Sequence, residues 1–392
     1  MRPGVGSVVI AALWAIAAPV AADTLQTRLQ GVLAGFHEKY GFPGVTAAIA
    51  SPGGPVVTAA IGFSDLEARR PMTPDTPMLA ASIGKTFVAV TVLALEDEGL
   101  LSLTDPVSKH LGHRDWVARL PNHATMTVQD LLRHTSGLPD HVHIASFQAD
   151  MGMRMASGGA AIGPEEAIAF VLDAEPLFPA GSGWAYTDTG YLLLGLVIEK
   201  VSGDGFFDLV TARFLDPLGL DNTAPADRPD LPGVAIGYVA QNNPFGLPER
   251  TADADGRLLW DPGMEWTGGG FLSTSRDLAR WGQALFGGEA LEGPYLDRVL
   301  DGVPVSPEAP GVLYGAGVAI HSDTPRGPVY GHGGWIPGYV SSLRHYADHS
   351  VTVAFQINTD VGIADDDTDL VPALEAALAD LAIGNADGGE NR

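Results

Sequence analysis

The chain has 392 residues, 46% of them apolar, no cysteine, and a formal net charge of −25. That length and apolar share describe a globular protein with a sizeable core, in two domains or one large one. The acidity repels phosphate backbones and anionic membrane surfaces and argues against a nucleic-acid partner. The missing cysteines exclude disulfides, thiol nucleophiles, cysteine-based metal sites and a lipid-bearing N-terminal cysteine.

Residues 1–22 carry one early charge, Arg2, and an apolar run from Val8 to Val20, shorter than the ~20 residues that span a bilayer. The run ends in Val20-Ala21-Ala22, small at the positions a signal peptidase inspects, with Asp23 next. A cleaved signal peptide over 1–22 and an exported, periplasmic protein are therefore expected. No other segment approaches transmembrane length, so no stable membrane insertion is expected.

TLQTRLQGVLAGFHEKYG has helical spacing and stops at Gly41. VTAAIA (45–50) and PVVTAAIGF (55–63) flank Ser51-Pro52-Gly53-Gly54, the pattern of a β-hairpin. A helix starting near Ser82 runs through FVAVTVLALEDE to Gly99 and is apolar enough to be buried on most sides. From about 100 to 305 helices and loops dominate, with VQDLLRHTSG, PEEAIAFVLDA, TGYLLLGLVIEKVSG and SRDLARWGQALFGG the clearest helices. Residues 225–266 are rich in Gly, Pro and Asp and read as a loop-rich insertion. Strand-like runs return as LYGAGVAIHS, GPVYGH, YVSSLRHYAD and VTVAFQIN, and LVPALEAALADLAI closes the chain as a helix. The pattern predicts an α+β fold: an antiparallel sheet flanked by terminal helices, built from about 23–100 and 305–384, with a mainly helical domain inserted at about 100–305 and a disordered tail over 385–392.

Residues 80–90, AASIGKTFVAV, admit two chemistries. A phosphate-binding loop needs a glycine five residues before Gly84, and Leu79 stands there. A nucleophile elbow needs glycine two residues before the serine, and Ala80 stands there. The spacing of Ser82 and Lys85 fits a third chemistry, because at the start of a helix it puts both side chains on one face. A neutral lysine there can take the serine's proton, and the helix N-terminus favours negative charge developing on a substrate oxygen. By itself the same spacing also suits a capping serine beside an unrelated lysine.

Two further stretches bear on the choice. FPAGSGWAYTDTGYLLLG carries Tyr186-Thr187-Asp188 before a helix, and GHGGWIPGY carries His332-Gly333-Gly334 in a strand region. With Ser82-Ile83-Gly84-Lys85 they resemble the three motifs of the serine β-lactamase and penicillin-binding protein superfamily, in its class C β-lactamase-like branch with D,D-carboxypeptidases, D-aminopeptidases and esterases. LLRHTSGLPD (131–140) and GGGFLSTSRDLARW (268–281) are similar to that family as well, and the resemblance spans about 27 to 380.

The resemblance implies a mixed α/β domain plus a helical domain with the site between them, and no metal or cofactor. It implies that Ser82 is the acylated nucleophile, that Lys85 and Tyr186 share proton transfer with Tyr186 as general base, and that the backbone N–H groups of Ser82 and Trp335 form the oxyanion hole. Asp188, His332, Gly333 and Gly334 would bind substrate. Two positions depart from the pattern. Asp188 stands where Asn is usual and, ionised, only accepts hydrogen bonds; it could pair with Lys85 or cap the helix beginning near Tyr191. Gly333 lacks a hydroxyl that helps hold a substrate carboxylate.

These features predict a serine hydrolase acting on a small-molecule or peptide substrate, with D-alanyl peptides and D-amino-acid amides first, small esters second and β-lactams third. A protein that keeps the fold and binds cell-wall peptides without turnover is the alternative. His141-Val142-His143 reads as a loop without a third metal ligand, Arg133-His134 as a structural corner, and Trp184 and Trp335 as residues that flank the motifs. The oligomeric state is left open.

Overall fold

A computed structural model describes residues 24–157, 161–241, 243–363 and 367–389, so the signal-peptide reading of 1–22 lies outside the described residues. Helix α1, Leu25–Tyr40, starts where the Thr24 hydroxyl accepts from the Thr27 N–H, and it ends at Gly41 with φ 68°. This is the cap pair that its sequence calls for. The other helices longer than two turns among the described residues are α2 (Lys85–Asp97), α3 (Ala145–Ser157), α4 (Asp188–Ser202), α5 (Ser275–Gly287) and α6 (Leu370–Gly389).

The strands are β1 (Gly44–Ala50), β2 (Val57–Asp65), β3 (Arg70–Pro71), β4 (Met78–Leu79), β5 (Ala224–Pro225), β6 (Phe271–Ser273), β7 (Val303–Pro304), β8 (Val312–Tyr314), β9 (Ala319–His321), β10 (Val329–Ile336), β11 (Tyr339–Tyr346) and β12 (Val351–Ile357). Nine form one antiparallel sheet in the order β3-β2-β1-β12-β11-β10-β9-β8-β7, while β4-β6-β5 make a small second sheet. The N-terminal hairpin thus joins the C-terminal meander, with Ala47 between Ala59 and Phe355. Both faces of β1 and β12 are buried, because helices cover the sheet on each side.

On one face α1 and α6 pack through Leu29, Leu33, Leu374 and Leu378 onto Val45, Val353 and Phe355. On the other lies α5, whose Ser275 shares a 2.7 Å hydrogen bond with Thr46 and whose Gly282 fits against Leu343 and Thr352. The buried Trp281 of α5 stacks on Phe87 of α2 at 4.1 Å and donates to the Thr86 hydroxyl at 2.7 Å. Helix α2 in turn packs on α4 within the larger apolar core. The Ser82 segment is thereby held between sheet and helical layer.

Three boundaries differ from expectation. The sheet-side part resumes at Ser275 instead of about 305, because the buried face of α5 is complementary to the sheet. The LYGAGVAIHS run is two strands, β8 and β9, separated by a turn in which Gly317 has φ 69°. Helix α6 continues to Gly389 through much of the predicted disordered tail, since Ile383 and Ala386 extend its apolar stripe onto the α1 core. Among the described residues no helix is long and apolar enough to cross a membrane.

Candidate active site

Ser82 lies in a short turn, Ala81–Gly84, that leads directly into α2 at Lys85. The turn is pinned by close backbone contacts. A methyl on Gly269 would stand 2.4 Å from the Ala81 carbonyl carbon and 2.9 Å from Ser82 N, and one on Gly84 would stand 2.9 Å from the Gly269 Cα. The turn places Lys85 Nζ 3.1 Å from Ser82 Oγ, as the helical spacing predicted.

Lys85 is wholly buried. Its ammonium donates to Ser82 Oγ and, at 2.5 Å, to the Gly268 carbonyl, and it forms an ion pair with Asp188 Oδ1. Burial works to lower its pKa, but the Asp188 carboxylate and then Tyr186 outweigh it and hold Lys85 above the ordinary lysine range. Helix α4 starts at Asp188 itself, with Thr187 before it as the capping position. Asp188 therefore sits in the first helical turn, facing Lys85, and is not the cap of a helix beginning at Tyr191.

Tyr186 precedes α4, and its ring lies 5.0 Å from Lys85 Nζ. Its hydroxyl is buried and makes no hydrogen bond of ordinary geometry, although both Ser82 and Lys85 stand close enough to favour its phenolate. Burial raises the Tyr186 pKa, and the Lys85 cation only partly offsets this. His134 positions the tyrosine. It forms a corner with φ 59°, its ring lies 4.2 Å from the Tyr186 ring, and its Nδ1 accepts from the Thr187 N–H at 3.1 Å.

Strand β10 forms the opposite wall. A methyl on Gly334 would meet Ser341 Oγ at 2.2 Å and the Ala80 carbonyl at 2.4 Å, so only glycine lets β10 approach the Ser82 turn. The next residue, Trp335, lines the same pocket as Ser82, and its indole N–H donates to Asp360 at 3.1 Å. His332 is buried with both ring nitrogens engaged, Nδ1 with the Gly333 carbonyl at 2.5 Å and Nε2 with the Tyr314 hydroxyl at 2.8 Å. Burial, then the Lys85 cation, push its pKa down to about 3, so the ring is neutral. The open space at Gly333 faces Arg344, which is paired with Glu375.

Two cavities meet at Ser82, Asp188 and Trp335. One is walled by Met151, Phe245, Leu247, Trp260, Met264 and Ile336, with Glu265 at its edge. The other is a wider cleft that runs past His332 and Gly333 toward Arg344 and Glu375. Sequence reasoning missed Glu265, Tyr314 and Asp140. Asp140 lines the wider cleft and lies three residues past Gly137 in the LLRHTSGLPD stretch, and burial, then the Asp188 carboxylate, raise its pKa. His141 is tied to Thr189, and among the described residues no group of three or more metal-ligating side chains occurs. Trp184 packs on His134 and Tyr314, while Trp335 lines both cavities.

A serine in contact with a buried lysine, flanked by a tyrosine and set between an antiparallel sheet and a helical layer, defines a serine hydrolase. The chain belongs to the Beta-lactamase family, whose model matches residues 29–378. It is 27% identical over 368 residues to penicillin-binding protein 4* of Bacillus subtilis, covering 91% of this chain and 76% of that protein. Its structure is similar to that of a D-stereospecific amidohydrolase from Streptomyces (TM-score 0.72, 30% identity, 86% of this chain and 94% of the other). It is also similar to D-amino acid amidase from Ochrobactrum anthropi complexed with D-phenylalanine (TM-score 0.74, 25% identity, 93% and 99%).

Proposed function

We propose that this hydrolase is exported and forms an acyl-enzyme on Ser82 while cleaving D-amino-acid amides or D-alanyl peptides. The contact that carries the reading is Lys85 Nζ at 3.1 Å from Ser82 Oγ beside the buried Tyr186. Lys85 is held charged by Asp188 and so favours the Tyr186 phenolate, which takes the serine proton as Oγ attacks the carbonyl. The N–H groups of Ser82 and Trp335 receive the oxyanion. The carbon–nitrogen bond breaks, the amine leaves with the proton returned by Tyr186, and water releases the acid from the serine ester. Small esters make the same demand on Ser82 with an easier leaving group. β-Lactams fit less well, because ionised Asp188 cannot donate to a substrate amide carbonyl. The Streptomyces and Ochrobactrum relatives support D-configured amides as the substrate class.

Intact mass after exposure to a fluorophosphonate tests the nucleophile. A single adduct that is absent from Ser82→Ala, together with turnover of a D-amino-acid amide, is expected; an unlabelled wild-type protein would instead favour a silent binding protein. Export is tested by N-terminal sequencing of the secreted chain, which should begin at Asp23.

A further inference from the structure

We infer that Glu265 recognises the free α-ammonium of the acyl half of the substrate, so that the protein acts on amino acids with an unblocked amine and a bulky apolar side chain. This rests on the acyl-enzyme reading and narrows it.

Glu265 is half-buried at the edge of the apolar cavity beside Ser82 and Asp188. Among the described residues its carboxylate has no hydrogen bond and no ion pair. The nearest cation, Lys85, is already divided between Asp188, the Gly268 carbonyl and Ser82. Glu265 Oε2 and Asp188 Oδ1 nevertheless flank the same glycine, since a methyl placed on Gly268 would lie 3.6 Å from each, and both residues line the cavity that Ser82 enters. The apolar wall includes Met151, Phe245, Leu247, Trp260, Met264 and Ile336. A carboxylate left unpaired in such surroundings is costly, and a cationic occupant removes the cost. Burial, and then the Asp188 carboxylate, hold Glu265 above the usual carboxylate range in the empty cavity.

An α-ammonium sits on the carbon next to the carbonyl that Ser82 attacks, so it must lie close to Ser82, in the cavity that Asp188 and Glu265 also line. The side chain on that carbon then meets the apolar wall. An N-acylated residue keeps a single N–H to donate and loses the positive charge, and its added carbonyl oxygen finds no donor on an ionised carboxylate. This disfavours internal peptide positions and acylamino β-lactams alike.

The test compares D-phenylalanine p-nitroanilide with its N-acetyl derivative, alongside p-nitrophenyl acetate and the fluorophosphonate adduct as readouts of Ser82. In the wild-type protein kcat/KM for the free amine should exceed that for the N-acetyl compound by about tenfold or more. Glu265→Gln should shrink that ratio by about tenfold, chiefly through KM, the worth of one charge-assisted hydrogen bond. The assignment is overturned if the N-acetyl compound is turned over equally well, or if Glu265→Gln leaves the ratio unchanged. If both anilides are inert while the acetate and the adduct report a reactive Ser82, the ammonium assignment falls and the hydrolase reading stands. If Ser82 takes no adduct, both fall.

Discussion

Lys85 and Asp188 form an ion pair in which the ammonium is fully buried and the carboxylate side chain is 19% exposed. Removing the carboxylate strands the cation. Asp188→Ala should therefore destabilise the fold by about 3–5 kcal/mol at neutral pH, measured by urea unfolding. The sign of the pH dependence follows from the lysine. In the parent its folded pKa is raised, so its contribution is present below the unfolded value of 10.5 and lost only as the pH rises through the folded one. In the variant burial is opposed only by Tyr186 and that pKa falls, so the defect should be large at pH 7 and shrink above about pH 10.5. A loss that is the same at both pH values would mean the pair does not set the charge of Lys85.

Tyr186 gives a second test. Its pKa is raised from 10.0 by burial, with Lys85 opposing. If the phenolate is the base, kcat/KM should still be climbing at pH 10, and Tyr186→Phe should lose about 10²–10⁴ of it. A profile that flattens near pH 7 would remove Tyr186 from the role.

The Ser82–Lys85 pairing was legible in the sequence because a helical turn converts a three-residue spacing into contact. The hairpin and the C-terminal strands were legible because alternating or continuously apolar runs report burial. What stayed hidden depends on distant segments meeting. Glu265 becomes a site residue only when residues 225–266, which have no periodicity to read, fold beside Ser82. Tyr314 reaches His332 only because a turn at Gly317 splits one apparent strand into two. Pairing with Lys85 and capping of a helix near Tyr191 are both open to Asp188 in the sequence; the helix starts at Asp188 itself, which leaves the pairing.

His345, away from the site, supplies a stability prediction. It lies between Phe286 and Tyr330, hydrogen-bonded to Thr352 at 2.9 Å, and burial pushes its pKa down to about 4. Between pH 6.5 and about 4 the unfolded chain binds a proton there that the folded chain does not, so stability falls as the pH falls. His345→Gln should lessen the acid dependence of unfolding free energy by about 1.4 kcal/mol per pH unit in that window. Urea titrations at pH 6 and pH 5 measure it, and parallel slopes in the two proteins would refute it.

Gly269 offers the sharpest test of how the site is positioned. An added methyl would stand 2.4 Å from the Ala81 carbonyl carbon, 2.5 Å from its oxygen and 2.9 Å from Ser82 N, all backbone atoms that cannot swing aside. The Ser82 turn must then shift, and with it the distances to Lys85 and Tyr186. Displacement of a nucleophile by about 1 Å costs about 10²-fold in rate, so Gly269→Ala should lower kcat by that order while a folded protein is still recovered. Gly287→Ala is the control, because at the end of α5 its methyl meets only Gln283 Nε2 at an ordinary 3.8 Å. It should leave kcat unchanged and match or slightly exceed the parent in stability. Equal activity in the two variants would show that the Ser82 turn tolerates movement and that close packing against Gly269 does not set its geometry.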